Sequence, residues 1–223
     1  MSTMSTTTTT PTPAASSSER HPRSSRGAAI SVGILFIAQM VTAMVGTSLI
    51  QAFTDGDTGR AQVTLGVLLM TVSGLAVVAI GLLMYPVLKD VNPDLAVWYP
   101  ILRIAEFVVS AACGIYLLAQ LEAVPNHMLW IYVPTGLGGI VLTYLLFVSR
   151  LVPRAIAVLG LVGYAALTIG VPLDLLGLLD MSAGPGLLLV IPGGLFELVF
   201  LPAWLIIKGF NPAPATAFTS AGR

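Results

Sequence analysis

Four polar side chains stand inside segments that are otherwise almost wholly apolar. Arg103 and Glu106 lie within one such segment, Glu197 lies near the centre of another, and Gln39 lies in a third. A charge inside a bilayer costs roughly 2.5 to 3.5 kcal/mol on insertion scales, so such residues face the bundle interior and pair with one another. We therefore predict an intramembrane polar cluster made of these four residues.

Counting along the chain places these side chains at a similar depth. Glu197 lies 11 residues before Lys208, and Glu106 lies about 10 residues after the start of its segment, so each carboxylate is about 15 Å from the same boundary. Gln39 is also about 11 residues into its helix. Arg103 and Glu106 are three residues apart and share a helix face. We expect the third and sixth helices to adjoin and the three charges to act as one unit.

Three interpretations of the cluster are open. In the first, Arg103 is a counter-ion, and Glu106 or Glu197 binds a small solute or ion or exchanges a proton. In the second, the protein has a structural or interaction role, and the buried pair only holds the bundle together, with Gln39 supplying hydrogen bonds. In the third, an intramembrane enzyme uses the two glutamates as acid and base.

Other chemistry is poorly supported by the sequence. It contains no Gly-x-Ser-x-Gly, His-Glu-x-x-His or phosphate-loop motif, so we assign no catalytic residue and do not favour an enzyme. The single cysteine, Cys113, and two histidines, His21 and His127, are too few for a structural zinc site, and we predict no metal or cofactor. We interpret Cys113 as a packing residue, His127 as a solvated loop residue and Asp174, near a boundary, as structural.

The elements that must position the cluster are membrane helices. Of 223 residues, 56% are hydrophobic and only 9% are charged, which excludes a soluble globule. The net charge of zero provides no basic field for nucleic acid. About 20 apolar residues cross a bilayer. The sequence thus predicts an all-α integral membrane bundle of six transmembrane helices, at about 28–53, 62–88, 97–121, 128–149, 155–178 and 186–207.

The two ends of the chain have a different composition from this transmembrane domain at 28–209. Residues 1–27 are rich in Ser, Thr and Pro, which predicts a disordered tail; an organelle transit peptide is the less favoured alternative. Residues 210–223 form a short C-terminal tail. The two three-helix halves share no motif that would indicate an inverted repeat.

The basic residues predict the orientation. If the N-terminus is cytoplasmic, eight Lys and Arg residues fall on the cytoplasmic side, and only Arg60 falls outside. Both termini are therefore predicted to be cytoplasmic. Arg150 and Arg154 in one cytoplasmic loop could bind anionic head groups of membrane lipids, although topology alone also explains them.

Several short strings resemble a known family when taken in their order and spacing. They are Leu-Met-Tyr-Pro-Val-Leu-Lys at 83–89, Leu-Arg-Ile-Ala-Glu at 102–106, Ser-Arg-Leu-Val-Pro-Arg at 149–154, Phe-Glu at 196–197 and Trp-Leu-Ile-Ile-Lys-Gly-Phe at 204–210. The chain, over about 28–212, resembles the bacterial multi-pass membrane proteins known as domain of unknown function 4386. The resemblance implies a helical membrane architecture and a bacterial inner-membrane location. It implies no reaction, ligand or catalytic residue.

Overall fold

The computed structural model describes residues 22–211, with side chains from residue 26 onward. Every regular element in this range is helical, and six segments are long and apolar enough to cross a membrane, which confirms the predicted fold class. We call them the first to sixth spans. The main helices are Pro22–Thr54, Arg60–Leu88, Trp98–Gln120, His127–Ser149 and Arg154–Leu175, and the sixth span is Gly184–Ile207.

Two helices begin earlier than the sequence predicts. The first begins at Pro22, and proline is favoured at a helix start because its missing N–H would have no partner there; of the predicted tail, residues 1–21 lie outside the described range. The third span begins with a short helix at Pro93–Ala96 before the main helix. Asn92 caps this short helix, and its side chain accepts a hydrogen bond from the Leu95 amide at 3.0 Å.

The sixth span is not the single helix that the sequence predicts. It consists of a 3-10 helix at Gly184–Leu189, an α-helix at Ile191–Leu195, a π-helix at Phe196–Phe200 and an α-helix at Leu201–Ile207. A proline clashes with the carbonyl one turn before it. The carbonyl one turn before Pro202 lies within the π-turn Phe196–Phe200, whose wider ring accommodates this clash, and Glu197 lies in the same turn.

The six spans form a closed ring in chain order. Each span packs against the next one in the sequence, and the sixth packs back against the first as well as against the fifth. The third and sixth spans consequently lie across the ring from each other, so the expectation that these two helices adjoin is wrong. Sequence depth fixes how far along a helix a residue lies, but it does not fix the lateral order of the helices.

The two ends of the bundle are packed differently. We call the end formed by loops 89–92, 150–153 and 208–211 the basic end, and the end formed by loops 55–59, 121–126 and 176–183 the distal end. The main hydrophobic core contains residues such as Met84, Leu146 and Leu205 near the basic end, and it extends along the later spans. A separate small cluster lies toward the distal end of the first three spans: Ile50, Val63, Val67 and Leu117.

Candidate functional site

Arg103 is the centre of a buried polar cluster in the middle of the ring. Its Nη1 atom lies 2.7 Å from a carboxylate oxygen of Glu106, and its Nη2 atom lies 3.9 Å from one of Glu197. Its guanidinium also lies over the ring of Tyr99, 5.2 Å from the centroid. Only 2% of Arg103 is exposed, so the charge is held by these groups and not by solvent.

Glu197 accepts hydrogen bonds from both spans that flank the sixth span, the first and the fifth. The Gln39 side-chain amide donates to its Oε2 atom at 3.1 Å, and the Tyr164 hydroxyl donates to its Oε1 atom. The main-chain carbonyl of Gln39 accepts a hydrogen bond from the Ser73 hydroxyl at 2.9 Å, which ties the second span to the same residue. Both oxygens of the Glu197 carboxylate therefore have a donor.

Small residues make room for the arginine. A Cβ atom on Gly81 would lie 3.2 Å from the Arg103 Cβ atom, so a side chain there would crowd the arginine stem. On the other side, a Cβ atom on Gly138 would lie 3.6 Å from Arg103 Nε. The guanidinium thus rests against the backbone of the fourth span. Its Nε and Nη2 atoms, and the hydroxyl of Tyr99, have no hydrogen-bond partner among the described residues.

The cluster is dry around Glu197. The gap between the side chains of Gln39, Tyr99, Arg103 and Glu197 is too narrow to admit a water molecule. The Glu106 side chain is exposed to a similar extent, 13% against 11% for Glu197, and the Thr135 hydroxyl on the fourth span lies near it. The two carboxylates therefore share one cation and differ in their hydrogen-bond donors: Glu197 receives two besides Arg103, and Glu106 accepts from Arg103.

The structure brings together all four residues of the predicted cluster. Sequence reasoning missed Tyr99, Tyr164, Ser73 and Thr135, which complete it. The sequence does contain one usable signal for Tyr164. It lies 10 residues after Arg154, so it has about the same depth from the basic boundary as the two glutamates.

The predicted lipid contacts lie outside the cluster. Arg150 and Arg154 are both exposed at the basic end. Arg154 lies over the ring of Phe147, 5.5 Å from its centroid, and the carbonyl of Arg150 accepts a hydrogen bond from the Asn211 side chain at 3.0 Å. Among the described residues, neither arginine forms an ion pair, so both guanidinium groups remain accessible to solvent or head groups.

Two aspartates organise the distal loop 176–183. Asp174 accepts a hydrogen bond from the Met181 amide at 2.6 Å. Asp180 accepts from both the amide and the hydroxyl of Ser182, at 2.8 and 2.6 Å, and these hydrogen bonds lower the pKa of its carboxyl. These side chains hold a turn, and among residues 26–211 no group of acidic, His and Cys side chains is arranged to hold a metal ion.

Six apolar spans around a buried ionic cluster define a multi-pass helical membrane protein. The family model described as domain of unknown function (DUF4386) matches residues 31–126 and 112–209, and the chain belongs to this family. Neither the curated proteins nor the solved structures contain a match to the chain.

Proposed function

We propose that this protein binds and exchanges a proton within the membrane, at the Arg103–Glu106–Glu197 cluster. The observation that carries the proposal is the charge count: one guanidinium faces two carboxylates in the bundle interior. An uncompensated buried charge costs several kcal/mol, so one added positive charge would neutralise the cluster. A proton supplies it.

The surroundings of Glu197 favour a proton over a metal ion. Its neighbours present an amide N–H, a phenol O–H and a guanidinium, which are hydrogen-bond donors. Metal cations such as Na⁺, Ca²⁺ and Mg²⁺ require several oxygen ligands, and donor groups point hydrogen atoms at the ion instead. The narrow gap also leaves no space for a hydrated ion.

The geometry favours Glu106 as the carboxyl that carries the proton. Both oxygens of Glu197 are already occupied by donors, whereas Glu106 accepts the Arg103 hydrogen bond through Oε2. The Thr135 hydroxyl donates to the Ile131 carbonyl at 2.8 Å, so its lone pairs are available to accept from a protonated Glu106. The other titratable groups that face the cluster are the phenols of Tyr99 and Tyr164. Among the described residues, the second and fourth spans contribute the non-titrating hydroxyls of Ser73 and Thr135.

A pH series of unfolding free energy in detergent tests the proposal. The folded cluster would bind one proton more than the unfolded chain, whose free carboxyls are ionised above their usual range. Linkage then makes stability fall as pH rises, by up to about 1.4 kcal/mol per pH unit, between the usual carboxyl pKa and the pH at which the folded cluster releases its proton. Glu106→Gln and Glu197→Gln should each flatten this dependence, because either leaves one carboxylate for one arginine.

Glu122→Gln is the matched control, since Glu122 is exposed in the loop 121–126. It removes a carboxylate without touching the cluster, so the pH dependence should persist. If the unsubstituted protein shows the same flat profile as the cluster variants, the cluster is structural and the proposal fails.

The location of the protein follows from the charge distribution and from the family resemblance. We infer a multi-pass protein of a bacterial cytoplasmic membrane, with both termini cytoplasmic and the basic end inside. In that orientation, Arg150 and Arg154 face the anionic leaflet surface, where each could contribute about 1 kcal/mol of attraction to lipid head groups.

A further inference from the structure

A second cavity lies between the cluster and the distal end. It is lined by residues of the first four spans and of the loop 121–126, and it holds about 30 Å³ of space for water-sized molecules. A cavity needs roughly 10 to 15 Å³ of such space for one water molecule. This cavity therefore has room for about two, in contrast to the dry gap around Glu197.

The lining of this cavity, which we call the distal cavity, contains polar groups that can hold water. Thr47, Ser110 and His127 contribute to it from three different spans. The Nδ1 atom of His127 faces the Val124 carbonyl at 3.2 Å, so its Nε2 atom remains to bond to water. Buried waters typically make two to four hydrogen bonds, and such a site can provide them.

The distal cavity ends one helical turn from Glu106. Ser110 lines the cavity and follows Glu106 by four residues, which is about 6 Å along the helix axis. On the facing span, Ile131 lines the cavity and precedes Thr135 by four residues. Two neighbouring helices thus independently place the inner end of the cavity one helical turn from Glu106 and Thr135.

The opposite side of the cluster is packed with apolar side chains. Toward the basic end, the interior is filled by wholly buried apolar side chains, among them Phe36, Met84, Leu88 and Leu205. Apolar packing therefore closes the basic side of the cluster, whereas the distal cavity reaches to within about one helical turn of it. This asymmetry is what a one-sided access path requires.

We infer that the distal cavity is a water-filled path by which protons from the distal side reach Glu106. The inference rests on the proposed proton site, and it adds the route and the side of the membrane from which that site is loaded. A proton enters from water in the cavity, is carried past Ser110 and binds a carboxylate oxygen of Glu106. Arg103 and Glu197 lie on the far side of Glu106 from the cavity, and their positions need not change when the proton binds.

The chain carries its own probe for this path. Cys113 is the only cysteine in the sequence, and it lines the distal cavity. The silver ion, which is about the size of a water molecule, reacts with thiols as thiolates, and these form in water and not in lipid. In membranes sealed in either orientation, Ag⁺ should block Cys113 from the distal face only, measured as loss of free thiol after denaturation, and Cys113→Ala should remove the signal.

Plugging the cavity tests whether it leads to Glu106. Ser110→Leu and Thr47→Leu each fill it from a different span. If one variant fails to fold, the other still tests the path. Both should slow the reaction of Cys113 with Ag⁺ about tenfold or more, because the sulfur loses its water. Both should also slow hydrogen–deuterium exchange of the protonated Glu106 carboxyl, followed by its carbonyl stretch in infrared spectra. Ser48→Leu, on the exposed face next to Thr47, is the matched control.

The outcomes separate the route from the site. Cys113 that is unreactive from both faces, or that reacts from the basic face, would overturn the route. A carboxyl band whose exchange is unaffected by either plug would also overturn the route while leaving the proton site intact. The absence of any protonated carboxyl band in the unsubstituted protein would instead overturn the proton site itself.

Discussion

Arg103→Met should be the most damaging single change in the cluster. It removes the cation that lies 2.7 Å from Glu106 and 3.9 Å from Glu197, and it leaves the buried Glu197 carboxylate without a cation beside the protonated Glu106. Removing one partner of a buried ion pair costs about 3 to 5 kcal/mol. Glu106→Gln and Glu197→Gln should each cost less, since each leaves a balanced pair.

Double-mutant cycles in equilibrium unfolding measure how the cation is shared. Coulomb attraction falls inversely with distance, so at equal dielectric the 3.9 Å contact has about 0.7 of the attraction at 2.7 Å. Coupling to Arg103 should therefore be larger for Glu106 at a pH at which Glu106 has released its proton, and it should be clearly measurable for Glu197 at neutral pH, where Glu106 is neutral. Arg60→Met, at the exposed start of the second span, is the control for loss of an arginine. Coupling between Arg103 and Glu197 below about 0.5 kcal/mol would refute the shared unit.

Three further predictions follow from other parts of the molecule. Gly163→Ala should be strongly destabilising in thermal unfolding because its Cβ atom would overlap the backbone of Gly193, whereas the control Gly194→Ala, which has open space, should be nearly neutral; equal effects would contradict this packing. The lowered pKa of Asp180 means that its contribution to loop order is present above the usual aspartate pKa and is lost as pH falls through the lowered value. The protection factor of the Ser182 amide against hydrogen exchange should therefore fall there, and a protection factor that Asp180→Asn leaves unchanged would contradict the turn. Reporter fusions at 89 should indicate cytoplasm and fusions at 126 the outside, and the reverse would overturn the orientation.

Residue spacing was sufficient to predict the membrane helices and the depth of the cluster. Segments free of charge for about 20 residues must be helical in a bilayer, since any other backbone would leave its polar groups unpaired. Glu106 and Glu197 could be placed at the same depth because helical rise is constant along the chain. Both arguments use only distance along one helix.

The lateral arrangement could not be predicted in the same way. In a membrane bundle, apolar side chains face lipid as well as core, so Leu82 is 57% exposed while Met84 on the same span is buried. Hydrophobicity therefore does not show which faces meet, and the ring order that separates the third and sixth spans is absent from the pattern. The π-turn around Glu197 depends on how Pro202 is accommodated, which is equally a matter of three-dimensional packing.

Infrared spectroscopy of the purified protein at neutral pH tests the central claim most directly. A protonated carboxyl has a carbonyl stretch that a carboxylate lacks, and the proton site predicts one such band in the unsubstituted protein and in Glu122→Gln. The band should be lost in Glu106→Gln and in Glu197→Gln. The frequency of the band should shift in Thr135→Val, because the protonated Glu106 loses its hydrogen-bond acceptor. The frequency should be unchanged in Tyr164→Phe. A neutral-pH spectrum with no protonated carboxyl, or a band that persists in both glutamate variants, would contradict the account.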